Sequence, residues 1–187
     1  MTDLPPDRPA WFAGLDLAPA ADRPELLAAP VLTALVELSN AVVLATPIDP
    51  ELADTAAFCQ HYGIPVAASA NCVVTVGKRE GEQRWAAAVV LATTRADVNG
   101  MIRRRLDVRK ISFAPMDEAT GRTGMEYGGI TPIGLPAEWP VLIDAAVAAA
   151  GPVVIGSGIR GSKIVIDGAV LASLPGAEVI EGLARPA

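Results

Sequence analysis

With 187 residues, 51% of them apolar, and a formal net charge of −6, the chain has the material for one folded domain around a real core. The apolar fraction argues against disorder, and the acidic balance argues against a broad, sequence-independent nucleic-acid surface. No apolar run reaches the roughly 18–20 residues that span a bilayer. The start is acidic and proline-rich and lacks the basic and apolar stretches of a signal peptide, so a cytoplasmic protein is expected. Two cysteines, Cys59 and Cys72, make no disulfide framework and read as buried apolar residues. The single histidine, His61, excludes a His-rich zinc site, and neither a metal nor a cofactor is expected.

Residues 1–24 carry Pro5, Pro6, Pro9, Pro19 and Pro24 and read as an extended N-terminal extension to a domain spanning 25–187. Trp11, Phe12, Leu15 and Leu17 are the residues that could pin it down. Val31, Leu32, Leu35 and Leu38 recur at helical spacing, and 41–45 (AVVLA) reads as a buried strand. Asp49 caps a predicted helix with Pro50 at its first position. That helix runs to about Tyr62 and ends at Gly63. Strand 72–76, a charged turn over 77–82 and a return strand over 84–92 predict a hairpin with a loop longer than two residues. Thr94 or Asp97 opens a helix with Val98, Met101, Ile102 and Leu106 on one face. Arg103, Arg104, Arg105, Arg109 and Lys110 make the densest basic cluster. A short strand (111–114) and a helical turn at Asp117 follow.

Strands are then predicted at 141–143, 153–155 and 163–166, a short helix at 169–174 and an edge strand at Val179-Ile180. Hairpins interspersed with helices, without βαβ alternation, give the fold class α/β of the α+β kind. The expected architecture is a single domain with a mixed, largely antiparallel sheet flanked by helices.

Chemistry concentrates in one segment, Gly124-Met125-Glu126-Tyr127-Gly128-Gly129-Ile130-Thr131-Pro132-Ile133-Gly134-Leu135-Pro136. Adjacent glycines permit positive φ and close approach, and such a loop can present N–H groups to a carbonyl or developing oxyanion. It could equally be a tight connection between core elements. Glu126 is either a base or amine anchor beside the loop, or a partner for Arg122. His61 falls in a last helical turn, where it favours the negative end of the dipole. Asp144 is placed to cap a helix, and Asp117-Glu118 has no partner at metal-site spacing. The GxGxxG at 156–161 precedes a strand rather than a helix and is not a dinucleotide site.

Gly128-Gly129-Ile130-Thr131-Pro132-Ile133-Gly134 resembles the glycine–proline loop of the YbaK family, usually GGxSPxG. Ala114-Pro115 and Thr123-Gly124 before it, Val141-Leu142-Ile143-Asp144 after it and Gly156-Ser157-Gly158 before the last hairpin extend the likeness over roughly 25–183. The family comprises aminoacyl-tRNA deacylases, both free-standing and inserted in prolyl-tRNA synthetases. The resemblance implies hydrolysis of a misacylated tRNA, assisted by a hydroxyl of the terminal ribose and needing no metal. The partner would be the acceptor end of a tRNA carrying its amino acid. It implies Gly129 and Thr131 as catalytic. Asn71, Glu126, Gly128, Ile130, Pro132, Gly134, Ser157, Gly158 and Arg160 would bind substrate.

The sequence departs from the family at Val74, which stands where the deacylases carry a lysine. Lys78, Arg160 and Lys163 are the cations that could supply the charge. Three readings stay open: an ester hydrolase, a ligand-binding module without turnover, and an interaction domain using the proline-rich start. A cation pointing into the loop's pocket favours the first, and a wholly apolar pocket the second. On the hydrolase reading, Thr131→Val or Gly129→Val slows turnover without unfolding the domain.

Overall fold

The computed structural model describes residues 8–186. Its strands are β1 (Ala18–Pro19), β2 (Val43–Pro47), β3 (Ala70–Arg79), β4 (Glu82–Leu91), β5 (Thr94–Ala96), β6 (Lys110–Phe113), β7 (Val141–Asp144), β8 (Pro152–Gly156), β9 (Ser162–Asp167), β10 (Ala177–Ile180) and β11 (Ala184–Pro186). Its α-helices are α1 (Ala29–Ala34), α2 (Thr55–Tyr62), α3 (Arg103–Arg105), α4 (Met116–Thr123), α5 (Ala145–Ala148) and α6 (Gly168–Leu171). One sheet has the order β1-β2-β9-β8 and is antiparallel throughout. The second has the order β10-β7-β4-β3-β6, with β7 parallel to both of its neighbours. A small β11-β5 ribbon closes the C-terminal end. The expected mixed, largely antiparallel single domain is what forms.

Strand periodicity sorts β9 between two cores. Ile164 and Ile166 enter the main core with Val89, Ile143 and Ile155. Val165 points the other way, into a second cluster with Phe12, Leu44 and Phe58. Lys163 shares Val165's face by the same alternation. The two large sheets approach where Ser69, just before β3, makes a parallel bridge with Val154 of β8. β6 covers β3 only from Thr75 to Lys78, so the start of β3 offers an open edge to the cleft between the sheets.

Several elements differ from their sequence-based expectation. The β3–β4 register pairs Arg79 with Glu82, leaving a two-residue turn. Glu80 (φ 53) and Gly81 (φ 89) both take positive φ, the geometry that tight hairpin turns require, so the loop is shorter than predicted. The predicted helix over 49–62 is two pieces. Asp49 accepts from the N–H of Glu51 and caps a 3-10 turn, Pro50–Leu52. Asp54 then accepts from the N–H groups of Ala56 and Ala57 and opens α2. The helix expected after Asp97 begins as a π turn, Val98–Ile102, because the Asp97 carboxylate takes the N–H groups of Gly100 and Met101. α4 is longer than the predicted turn and ends at Gly124 with φ 66. From residue 8 the proline-rich segment is folded onto the domain: Phe12 is buried, Ala20 joins the main core and β1 pairs with β2.

Candidate active site

The cleft between the two large sheets holds a cavity of about 730 Å³. The segment before α2, the open start of β3, loop 124–136 and the last hairpin form its walls, and Phe113 and Met116 stand at its mouth.

The wall at β9 carries the least expected group. Lys163 is 7% exposed, lines the cavity, and lies with its Nζ 5.6 Å from the centroid of the Phe58 ring. Its anchor follows from the break in the preceding helix. In a continuous helix the carbonyl of Ala53 would accept from the N–H of Ala57. Here the Asp54 carboxylate takes that N–H, and the freed Ala53 carbonyl accepts from Lys163 Nζ at 3.0 Å. Among the described residues no carboxylate pairs with Lys163 within 4 Å. Burial holds its pKa below the ordinary lysine value; Cys59 and Asp54 oppose the shift and Arg160 adds to it. An ammonium has three donors, so two remain for a ligand.

The rest of the wall is polar in a few places. Thr55 Oγ1 donates to Asn71 Oδ1 at 2.7 Å, which leaves the Asn71 amide N–H groups unused. Arg160 donates through Nη1 to the carbonyl of Tyr127 (3.2 Å) and through Nη2 to that of Pro50 (3.1 Å), strapping the loop to the other wall. Cys72 also lines the cavity, but burial pushes its thiol up to about 12, so it is no thiolate nucleophile near neutral pH. Among the described residues no three His, Cys, Asp or Glu side chains converge as a metal site.

Of the site residues expected from sequence, Asn71, Gly128, Ile130 and Arg160 line the cavity. Gly129, Glu126 and Gly158 build a clasp that holds loop 124–136 against the last hairpin, and the remaining ones are packed into the domain. Gly129 accepts at its carbonyl from Gly158 N–H (2.8 Å), and a Cβ on it would meet the Ile159 backbone at 2.6 Å. Glu126 Oε2 accepts from the Arg160 N–H (2.7 Å), and the Glu126 N–H donates to the Gly158 carbonyl (2.8 Å). Ser157 Oγ lies 2.6 Å from Ser162 Oγ in a buried pair. Gly158 packs on Ala28, where a Cβ would come within 2.4 Å. Gly134, at φ +79, packs as closely on the Pro30 carbonyl. Pro132 and Thr131 are buried, and Thr131 Oγ1 has no hydrogen-bond partner.

The expectation that Gly129→Val leaves the domain folded is therefore corrected: its Cβ position is occupied by backbone. The basic cluster at 103–105 is remote from the cavity, with Arg105 paired to Glu178 on β10. Sequence reading weighed Lys163 only as a substitute cation and missed Asp54, Thr55 and Tyr127. The signal for Lys163 was a lysine inside an otherwise apolar strand, SKIVID.

The sequence matches the aminoacyl-tRNA editing domain family over residues 49–174. The chain belongs to that family. Solved structures share the editing-domain fold at low identity. A candidate trans-editing enzyme for prolyl-tRNA synthetase matches with TM-score 0.68 and 21% identity over 88% of this chain and 96% of its own. Hypothetical protein APE2540 matches with TM-score 0.70 and 16% identity, covering 82% and 99%. A scaffold protein from an epitope-grafting design matches with TM-score 0.69 and 20% identity, covering 82% and 95%. No curated protein matches the sequence. Among the described residues no helix of this editing domain is long and apolar enough to cross a membrane.

Proposed function

We propose that this editing domain hydrolyses the ester of a misacylated tRNA in trans, with the aminoacyl end in the cavity beside Lys163. Water adds to the acyl carbonyl, the carbon–oxygen bond to the terminal ribose breaks, and the ribose oxygen takes the proton. Free amino acid and tRNA leave. A hydroxyl of the same ribose helps to activate the water, as the family resemblance implies, so little is asked of acidic or basic side chains. Lys163 supplies from β9 the positive charge that the family pattern has at the position of Val74. Both residues line the one cavity. Its free N–H donors face negative charge as it develops on the carbonyl oxygen, where a desolvated cation acts most strongly. Asn71 and the backbone at Gly128 orient the acyl group.

The observation that carries this reading is the buried lysine without a carboxylate partner. It weighs toward the hydrolase over the binding module, which the apolar Val74 alone would favour. The test is deacylation of a panel of misacylated tRNAs, alanyl- and cysteinyl-tRNA for proline included, by wild type and Lys163→Met. Turnover by wild type that collapses in the variant supports the reading. No turnover across the panel, with tRNA still bound, leaves a binding module.

A further inference from the structure

Among the described residues, Phe113 and Tyr127 are the only exposed Phe, Tyr or Trp side chains, by 61% and 60%, and both line the mouth of the same cavity. Met116, 51% exposed, stands with them. A single exposed apolar residue needs no explanation, but the convergence of these three on one opening does. None of them is loosely attached. Phe113 ends β6, and the next residue, Ala114, donates its N–H to the Val74 carbonyl (2.9 Å). Met116 opens α4. The carbonyl of Tyr127 is held by Arg160. Rigid backbone therefore presents two aromatic faces and a thioether to solvent.

The charge at this mouth selects among occupants. The chain is acidic overall, with net charge −6, yet the cavity holds Arg160 and Lys163, and its one lining carboxylate, Asp54, is engaged in capping α2. An anionic ligand with a flat apolar end fits this combination.

We propose that Phe113, Met116 and Tyr127 form a stacking platform for the unpaired terminal nucleobase of a tRNA 3′ end, with Arg160 next to its phosphate; this rests on reading the cavity as the aminoacyl site. Unpaired bases are recognised by stacking on aromatic faces, a mode that needs no readout of base edges. The platform then sets how deep the 3′ end enters and so brings the ester to Lys163.

The test is binding of a labelled single-stranded oligonucleotide ending in CCA, followed by fluorescence anisotropy, against the same strand with an abasic terminal residue. The full chain is used, as wild type, Phe113→Ala and Tyr127→Ala. Loss of the terminal base, or of either ring, is expected to weaken binding roughly fivefold to a hundredfold. Because both rings are exposed, the thermal midpoint stays where it is in wild type. Equal binding of the abasic strand overturns the proposal. So does unchanged binding by both ring variants, an outcome that would leave the exposed rings to a protein partner. The readout needs no turnover: absent deacylation sinks the hydrolase reading, while base-dependent binding would still stand.

Discussion

Loop 124–136 and the wall formed by β9 and the start of α2 border the same cavity and are built in opposite ways. The loop is conspicuous in sequence, with its glycines and prolines, yet most of its residues are spent on packing: Gly129 on Ile159, Gly134 on Pro30, Glu126 on the Arg160 backbone. The β9 wall is inconspicuous, one lysine in an apolar strand, and it leaves donors free. A glycine there for close approach is satisfied by its neighbours. A buried ammonium with one backbone acceptor is not. Unsatisfied capacity, more than motif density, marks the side where a ligand can be held.

Lys163→Met should have the largest effect on that contrast. Deacylation is expected to fall roughly 100-fold, the size of one lost electrostatic donor, with the far-UV circular dichroism unchanged. The same variant reads out the lysine's titration. Burial lowers the folded-state value of Lys163, so between that value and the ordinary 10.5 the unfolded chain binds a proton that the folded chain has released. Stability of wild type should therefore rise with pH across that window, as followed by urea unfolding, and Lys163→Met should lose the rise.

Next in size, Gly129→Val should cost about 1–3 kcal/mol in urea unfolding, because its side chain must displace the Ile159 backbone. Activity should fall only as far as the folded fraction does. Retention of full stability would show that the clasp is looser than its contacts. Asp54→Ala should cost about 1 kcal/mol as a lost helix cap. It also returns the Ala57 N–H to the Ala53 carbonyl, so deacylation should fall further than the stability loss explains. Smallest of all, Thr131→Val should leave deacylation unchanged and keep or slightly raise the thermal midpoint, since it removes a buried hydroxyl without a partner. A loss of turnover in that variant would instead support the catalytic role expected for Thr131.

Much of the fold is legible in the sequence. The strands at 153–155 and 163–166 announced themselves by apolar runs, the one expected at 41–45 forms two residues later at Val43–Pro47, and Gly63 ended its helix where its spacing required, at φ 68. What sequence missed were choices between near-equal local options. Asp49 and Asp54 are both good caps, and only tertiary packing decides that each opens its own segment. Glu80 is not a residue expected at positive φ, so the tight hairpin turn was invisible. The site was half legible. Asn71, Gly128, Ile130 and Arg160 reach the cavity. Gly129 and Gly134 pack closely on backbone, and sequence cannot tell that use of a glycine from close approach to a ligand.

The pairing of β2 with β9 has a consequence for how the protein is made. Val43 meets Ile166 and Thr46 meets Lys163, so the strand that carries Lys163 is paired to a segment far earlier in the chain. Pairings of such separation close large loops and form slowly. During synthesis β2 can pair with β1 as it emerges, but the edge it gives to β9 stays unpaired until the β8–β9 hairpin has left the ribosome. Lys163 takes its place only once β9 pairs with β2, so the nascent chain has no assembled pocket before β9 has been translated.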